Sequence, residues 1–384
     1  MPSAHGQDSQ PSSPPRLDRL SALPPKILTT IFELVYEEQV APHLPLNKAT
    51  APFFYAERYS FVELASARAL KRFVRTMREF PERAHLVEDL WICVKEDDKA
   101  DEEGKGDDLP TKKALVKLFR QLNELRGLSI IKASSIARLV LKPYVASRSL
   151  PHLEELRLQV PFETWDRPFT PSLYSSLSLY KDLSRLELQV ERPFESFLPT
   201  SLRPIAPSSL PFARLKELCL TGSSLDPLAV GALLSCCSSL TSLALSDQSG
   251  EGDLPNLLSN LPNPSFLEYL SLLSTPRSSI SQDLSAPLAP MTNLKQLSLV
   301  GPFDLSSSAF FDLLARFPLR DISFGWSPSF VPPHRVLALI CEHATLCSVA
   351  LADVKGSPQW TVTMQAAVQE AAAALGIVVV YGWQ

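Results

Sequence analysis

Glycine is scarce in this sequence, with 13 residues in 384, whereas proline is abundant at 34. Because proline stiffens a chain and glycine loosens it, this balance predicts many short elements joined by short, stiff connections. No apolar run approaches the about 18 residues that a membrane-spanning helix requires. Residues 1–16 contain no apolar stretch of the signal-peptide type. The sequence therefore predicts neither a membrane span nor a membrane partner.

A strong excess of either charge is also lacking. The 37 lysines and arginines are balanced by 41 aspartates and glutamates, which argues against a general nucleic-acid partner. Only six cysteines occur, at irregular positions within apolar segments. This pattern predicts buried free thiols rather than a disulfide framework, and hence a cytoplasmic or nuclear protein.

Motifs of catalysis and cofactor binding are missing as well. The sequence contains no Gly-x-Ser-x-Gly, no glycine-rich phosphate loop and no His-Glu-x-x-His, so we expect no enzyme, no catalytic residue and no cofactor. An enzyme with an unrecognised site is a third hypothesis that no residue supports. Cys341, His343 and Cys347 are close in sequence, but Cys341 and His343 diverge by about 200° on a predicted helix, so buried thiols are favoured over a metal site. The acidic residues 96–108 predict a solvated loop.

What the sequence does contain is an internal repeat. An apolar residue, two further residues, an apolar residue, one residue and an apolar residue recur at spacings of about 25 to 38 positions. The copies begin at Val87, Leu125, Leu153, Leu183, Leu215, Leu240, Leu267, Leu294, Leu319 and Leu346. The last two apolar positions are two residues apart and share one face of a strand. Helix-like stretches such as 226–237, 308–317 and 334–343 separate the copies, so each period predicts a strand followed by a helix.

This period and pattern resemble the leucine-rich repeat. The resemblance implies an α/β solenoid with a parallel sheet on its concave side and helices on its convex side, over residues 61–384. Residues 360–375 predict a terminal helix, which Gly376 ends, and residues 377–381 a last strand, so that the chain closes with a helix–strand cap. The family prefers Asn or Cys three residues past the third apolar position. Other residues stand there in this chain: Pro161, Glu191, Ser223, Gln248, Thr275 and Pro302.

The N-terminal region divides into two parts. Residues 1–16 lack apolar side chains and predict a disordered tail. Residues 17–60 begin with an amphipathic helix and resemble the small all-α module of F-box proteins, in which Leu-Pro is followed by a helical turn and Ile-Phe. Two features depart from that family, since Lys26 replaces the usual Glu and the usual Trp is missing. We also expect Tyr59 to Val62 to form a short strand.

The F-box resemblance implies partners. Its members dock a Skp-type adaptor and through it a cullin, and the repeats then select a substrate protein for ubiquitylation. The adaptor-binding residues that the resemblance implies are Leu23, Pro24, Pro25, Ile27, Leu28, Ile31 and Phe32. Before assembly we expect a monomer. The alternative is a leucine-rich-repeat scaffold without a ligase, in which the same helix merely caps the solenoid.

The concave face is the expected substrate surface, because it presents neighbouring strands about 4.8 Å apart. Its outward positions flank the middle leucine of each repeat, and they are charged in the early repeats and small in the later ones. The candidate substrate-binding residues are Glu155, Arg157, Arg185, Glu187, Glu217 and Tyr269. The competing interpretation is that the charged members form solvated cross-strand pairs of little energetic value.

Overall fold

The computed structural model describes residues 24, 27, 51–94, 109–146, 148–160, 177, 179–190, 212–222, 227–247, 254–275, 283–301, 303–305, 307–325, 331–352 and 359–382. The chain divides into two compact units between Phe61 and Val62. In the first unit, helix α1 spans Ala51–Ser60. Tyr59 and Ser60 thus end a helix, and the prediction that they open a strand is wrong. The strand begins at Phe61 and ends at Leu64, whose side chain is buried.

In the described part of the chain, twelve strands form one sheet, and they lie in it in the order in which they occur along the chain. From β2 to β12 every neighbouring pair is parallel. The strands are β1 Phe61–Leu64, β2 Asp89–Cys93, β3 Gly127–Ile131, β4 Glu155–Val160, β5 Arg185–Val190, β6 Glu217–Gly222, β7 Ser242–Asp247, β8 Tyr269–Ser274, β9 Gln296–Val300, β10 Asp321–Gly325, β11 Ser348–Leu351 and β12 Val378–Tyr381.

Helices occupy the connections between these strands. In the second unit they are α2 Ala67–Glu79, α3 Lys112–Gln121, α4 Ser134–Val140, α5 Pro143–Ala146, α6 Pro227–Ser235, α7 Leu254–Leu258, α8 Ser285–Leu288, α9 Ser308–Leu314, α10 Pro333–Glu342 and α11 Val362–Ala374, with 3₁₀ turns at Pro81–Leu86 and Pro264–Phe266. The helices expected within 226–237, 308–317, 334–343 and 360–375 are all present. Within the described residues, no helix is both long and apolar enough to span a bilayer.

The repeated apolar positions form the core. Each strand from β2 to β11 carries the second and third apolar positions of its repeat on the inner face of the sheet. The first apolar position lies just before the strand. In every copy all three side chains are buried, as Leu215, Leu218 and Leu220 illustrate. Identical positions pair across neighbouring strands, so Leu218 lies beside Leu186 and Leu243. Continuous rows of leucine thus run along the inner face of the sheet, and the chain is a leucine-rich-repeat solenoid.

A ladder of backbone hydrogen bonds fixes the corner at which each strand begins, which we call the entrance corner. The carbonyl of the residue before one strand accepts hydrogen bonds from two consecutive N–H groups of the next repeat. Glu154 O, for example, accepts from Ser184 N at 2.8 Å and Arg185 N at 3.0 Å, and Ser184 O accepts in turn from Lys216 and Glu217. The same arrangement recurs from Glu88 O to Arg320 O. Successive repeats are therefore joined at this corner by a ladder of backbone groups, and the hydroxyls of Ser184 and Thr241 add hydrogen bonds to the Glu154 and Lys216 carbonyls.

We call the corner that follows each strand the exit corner. The leucine-rich-repeat family normally has Asn or Cys at this corner. Among the six replacing residues the structure describes Thr275, whose N–H donates to Asp247 O at 3.1 Å. Pro161, Glu191, Ser223, Gln248 and Pro302 lie outside the described residues. Side chains bridge repeats on the entrance side of the strands, where Asn263 Nδ2 donates to Ser238 O and Asn293 Nδ2 donates to Ser265 O, each at 2.8 Å.

The predicted C-terminal cap is present. Helix α11 ends in a Schellman motif, in which Ile377 N donates to Ala372 O at 2.8 Å and Gly376 N donates to Ala373 O at 3.2 Å. Gly376 has a φ of +72°, which favours glycine. Trp360 is buried and donates its indole N–H to Val331 O at 3.0 Å. These contacts tie α11 and β12 to the preceding repeats.

The expectation that all six cysteines are buried is wrong. Cys236 and Cys237 are buried, whereas Cys341 and Cys347 are exposed and the remaining two, Cys93 and Cys219, are half-buried. Cys341 lies on α10, and Cys347 directly precedes β11. His343 is buried beyond the end of α10. No group of three or more metal-ligating side chains occurs among the described residues.

Candidate protein-docking face

The face of the sheet opposite the buried leucine rows is the second face, and we call it the open face. Two outward rows cross it from β2 to β11. The first outward row is Asp89, Gly127, Glu155, Arg185, Glu217, Ser242, Tyr269, Gln296, Asp321 and Ser348. The second outward row is Trp91, Ser129, Arg157, Glu187, Cys219, Ala244, Ser271, Ser298, Ser323 and Ala350. Parallel register places each residue beside its counterpart in the next repeat.

Ion pairs link the charged side chains of the early repeats. Arg157 Nε lies 2.6 Å from Glu187 Oε2 across β4 and β5. Arg185 lies between two carboxylates, with Nε 3.4 Å from Glu217 Oε2 and one terminal nitrogen 3.9 Å from Glu155 Oε2. These side chains are between a quarter and a little over half exposed, so each pair contributes little to stability. The pairs hold the charges in a fixed pattern on the open face.

A small pocket lies over β3. The outward residues of β3 are small, namely Gly127 and Ser129, whereas those on either side include Asp89, Trp91 and Arg157. The depression that results has a volume of about 140 Å³. The Arg157 guanidinium carbon lies 5.6 Å from the centre of the Trp91 ring. We call this depression the Asp89 pocket.

Asp89 differs from the other carboxylates of the open face. Among those on the described strands β2 to β11, it alone has no hydrogen bond or ion pair. Burial, followed by repulsion from Glu155 and Glu88, raises the pKa of Asp89. The pKa of Asp89 is therefore higher in the folded chain than in the unfolded chain. The free energy of unfolding consequently falls as the pH rises from the unfolded-state pKa through the folded-state pKa. The ionised carboxylate therefore costs the fold free energy at neutral pH, and stability does not explain its presence.

The floor of the Asp89 pocket contains a polar group whose hydrogen-bonding capacity is not satisfied. Ser129 is 4% exposed, and its buried Oγ has no hydrogen-bond partner among the residues that the structure describes. A buried hydroxyl without a partner is unfavourable and is uncommon in folded proteins. Gly127 is needed beside it, because a Cβ at that position would overlap the Asp89 carboxylate.

A larger pocket lies over β7, where the outward residues are Ser242 and Ala244. Tyr269 forms one wall and Glu217 with Cys219 forms the other, enclosing about 410 Å³. Burial, aided by the Glu187 carboxylate, raises the pKa of the Cys219 thiol, which stays neutral. We call this depression the Tyr269 pocket, and its lining is less charged than that of the Asp89 pocket.

The predicted substrate-binding residues all lie on the open face. Glu155, Arg157, Arg185, Glu187 and Glu217 form one contiguous cluster. Tyr269 lies beyond them, on the wall of the second pocket. Whether these residues bind a substrate stays a prediction.

Sequence reasoning missed the Asp89 pocket. It located the outward positions only from β4 onward. The same rule, applied to the residues that flank Leu90 and Leu128, identifies Asp89, Trp91, Gly127 and Ser129 as outward. The signal was therefore present in the first two repeats.

The predicted adaptor-binding segment is largely outside the described residues. Pro24 and Ile27 are described, and Ile27 N donates to Pro24 O at 2.9 Å in a single turn. Ile27 is 48% exposed. Leu23, Pro25, Leu28, Ile31 and Phe32 lie outside the described residues, as does the proposed tail at 1–16.

No protein-family model and no curated protein matches the chain. Among solved structures, it is similar to the complex of Rad7 and Elc1 in yeast, with 15% identity over 91% of this chain and 98% of that one, at a TM-score of 0.36. It is also similar to the leucine-rich-repeat-containing protein LegL7 from Legionella pneumophila, with 15% identity over 83% of this chain and 94% of that one, also at 0.36. The assignment to the leucine-rich-repeat class rests on the repeat geometry of the chain itself.

Proposed function

We propose that this chain is a protein-docking scaffold that recruits a substrate protein to a Skp/cullin/F-box ubiquitin ligase. The observation that carries the docking role is the open face, on which charged rows and two pockets run across strands in strict register. Such a surface matches an extended partner at many points at once. Chemistry then belongs to the partners. The chain contributes position, by raising the local concentration of the recruited protein near the transferring enzyme.

The ligase role rests on the F-box resemblance of residues 17–60. One structural observation supports it over a capping role for the same segment. Strand β1 already forms the N-terminal end of the sheet. The helix that follows it, α2, buries Leu70, Phe73 and Met77. The solenoid therefore has an N-terminal cap that residues 17–35 need not supply.

Adaptor binding tests this proposal. The full chain should bind a purified Skp-type adaptor in isothermal titration calorimetry. The double variant Ile31→Asp/Phe32→Asp should weaken binding about a hundredfold or more, because charges replace two apolar anchors of the docking helix. Circular dichroism checks that the repeats of the variant remain folded.

A matched control separates docking from general charge effects. Val362 and Leu375 are exposed apolar residues of the C-terminal cap. Val362→Asp/Leu375→Asp makes the same chemical change far along the chain and should leave adaptor binding unchanged. Failure of the folded wild-type chain to bind the adaptor would contradict the ligase role and leave a repeat scaffold without a ligase.

A further inference from the structure

We propose that the Asp89 pocket binds a lysine side chain of the protein recruited to the open face. This inference rests on the proposed docking function and names the chemistry that the partner presents. Two independent observations carry it, namely a carboxylate without a cation and a buried hydroxyl without a partner, both at one depression. Neither observation is explained by folding.

The charges around the pocket favour a cation. Asp89, Glu155 and Glu187 face two arginines, Arg157 and Arg185, at its lining. Arg157 is paired with Glu187 at 2.6 Å, and Arg185 is shared between Glu155 and Glu217. The lining therefore has an excess of one negative charge, and that charge is on Asp89, which has no ion-pair partner within the described part of the chain.

The shape of the pocket favours lysine over arginine. An ammonium group is compact and has three N–H donors. These can donate hydrogen bonds to the Asp89 carboxylate, Ser129 Oγ and the Glu155 carboxylate. Its four-carbon stem can lie against Trp91 at the rim. A planar guanidinium would meet that of Arg157, which already lies 5.6 Å from the centre of the Trp91 ring.

The experiment uses the full chain labelled with 5-fluorotryptophan. The Trp91 fluorine signal is assigned with the variant Trp91→Phe. Acetyl-Gly-Lys-Gly-amide is the probe, and the matching glutamine and arginine peptides are the comparisons. We expect the lysine peptide to shift the Trp91 signal saturably at millimolar concentration, the glutamine peptide to leave it unmoved and the arginine peptide to bind more weakly.

Three variants test whether the pocket is responsible. Asp89→Asn should weaken lysine binding about tenfold, because a charge-assisted hydrogen bond becomes a neutral one. Gly127→Ala should weaken it similarly with no change in net charge, since the new methyl group displaces the Asp89 carboxylate. Asp312→Asn removes one exposed charge from α9 and should have no effect.

Three results would overturn the inference that the Asp89 pocket binds a cationic side chain. They are an unmoved Trp91 signal with the lysine peptide, an equal shift with the glutamine peptide, and equal weakening by Asp312→Asn and Asp89→Asn. Tighter binding of the arginine peptide would overturn the assignment to lysine. Adaptor binding is measured separately: if it is intact while the lysine peptide fails, the pocket inference alone falls. If the lysine peptide binds while adaptor binding fails, the ligase role alone falls.

Discussion

Leu270→Ala should lower the free energy of unfolding by about 2–5 kcal/mol, because it removes a buried side chain and leaves a cavity. Leu270 is fully buried on the inner face of β8. It pairs with Leu243 on one side and Leu297 on the other, so the cavity opens in the middle of the leucine rows. Urea unfolding followed by circular dichroism measures the loss.

The neighbouring residue provides the control. Ser271 follows Leu270 on the same strand and faces the opposite side of the sheet. Ser271→Ala should change the free energy of unfolding by no more than about 0.5 kcal/mol. Equal losses for the two variants would contradict the assignment of inner and open faces.

Gly301→Ala should also destabilise the chain strongly, by about 2–5 kcal/mol. Gly301 has a φ of +141°, a conformation that side chains rarely adopt, and it follows β9 directly. A Cβ there would lie 2.5 Å from the Ser274 carbonyl oxygen of the preceding repeat. The backbone must therefore move apart from β8 as well as change its conformation. Thermal unfolding measures the effect.

Gly382→Ala separates the two contributions. Gly382 also has a positive φ, at +89°, but a Cβ there would have no neighbour within 4 Å among the described residues. The substitution should therefore cost only about 1–2 kcal/mol, from conformation alone. If Gly301→Ala cost no more than Gly382→Ala, the close approach of the two repeats would be wrong.

The core could be predicted from sequence because the repeat pattern encodes it directly. An apolar residue at the position of Leu218, and another two residues later at Leu220, must share one face of a strand. Recurrence at a regular period then makes the strands equivalent and stacks them in parallel. The structure confirms the buried side chains and the parallel sheet.

The ladder of hydrogen bonds at the entrance corner could not be predicted, because its donors and acceptors are backbone groups. The carbonyls of Glu154 and Ser184 do the same work although their side chains differ. No residue type marks such a ladder in a sequence. For the same reason the missing Asn or Cys at the exit corner does not prevent the repeats from stacking.

The Asp89 pocket lies between these two cases. Each of its residues occupies an outward position that the pattern defines. The depression itself arises because small residues on β3 lie between large ones on β2 and β4. That combination depends on the register between segments that are 38 residues apart for β2 and β3 and 28 residues apart for β3 and β4, so only the paired sheet reveals it.

Site-specific photo-crosslinking tests most directly whether the open face carries the partner. The full chain, with benzoylphenylalanine at Ser271 on the open face or at Asp312 on α9 as the control, is bound to the Skp-type adaptor and irradiated in an extract of the source cells. We expect a discrete adduct from position 271, recovered together with the adaptor and competed by the unlabelled chain. Position 312 should give none. Adducts from position 312 and none from position 271 would show that the open face does not carry the partner.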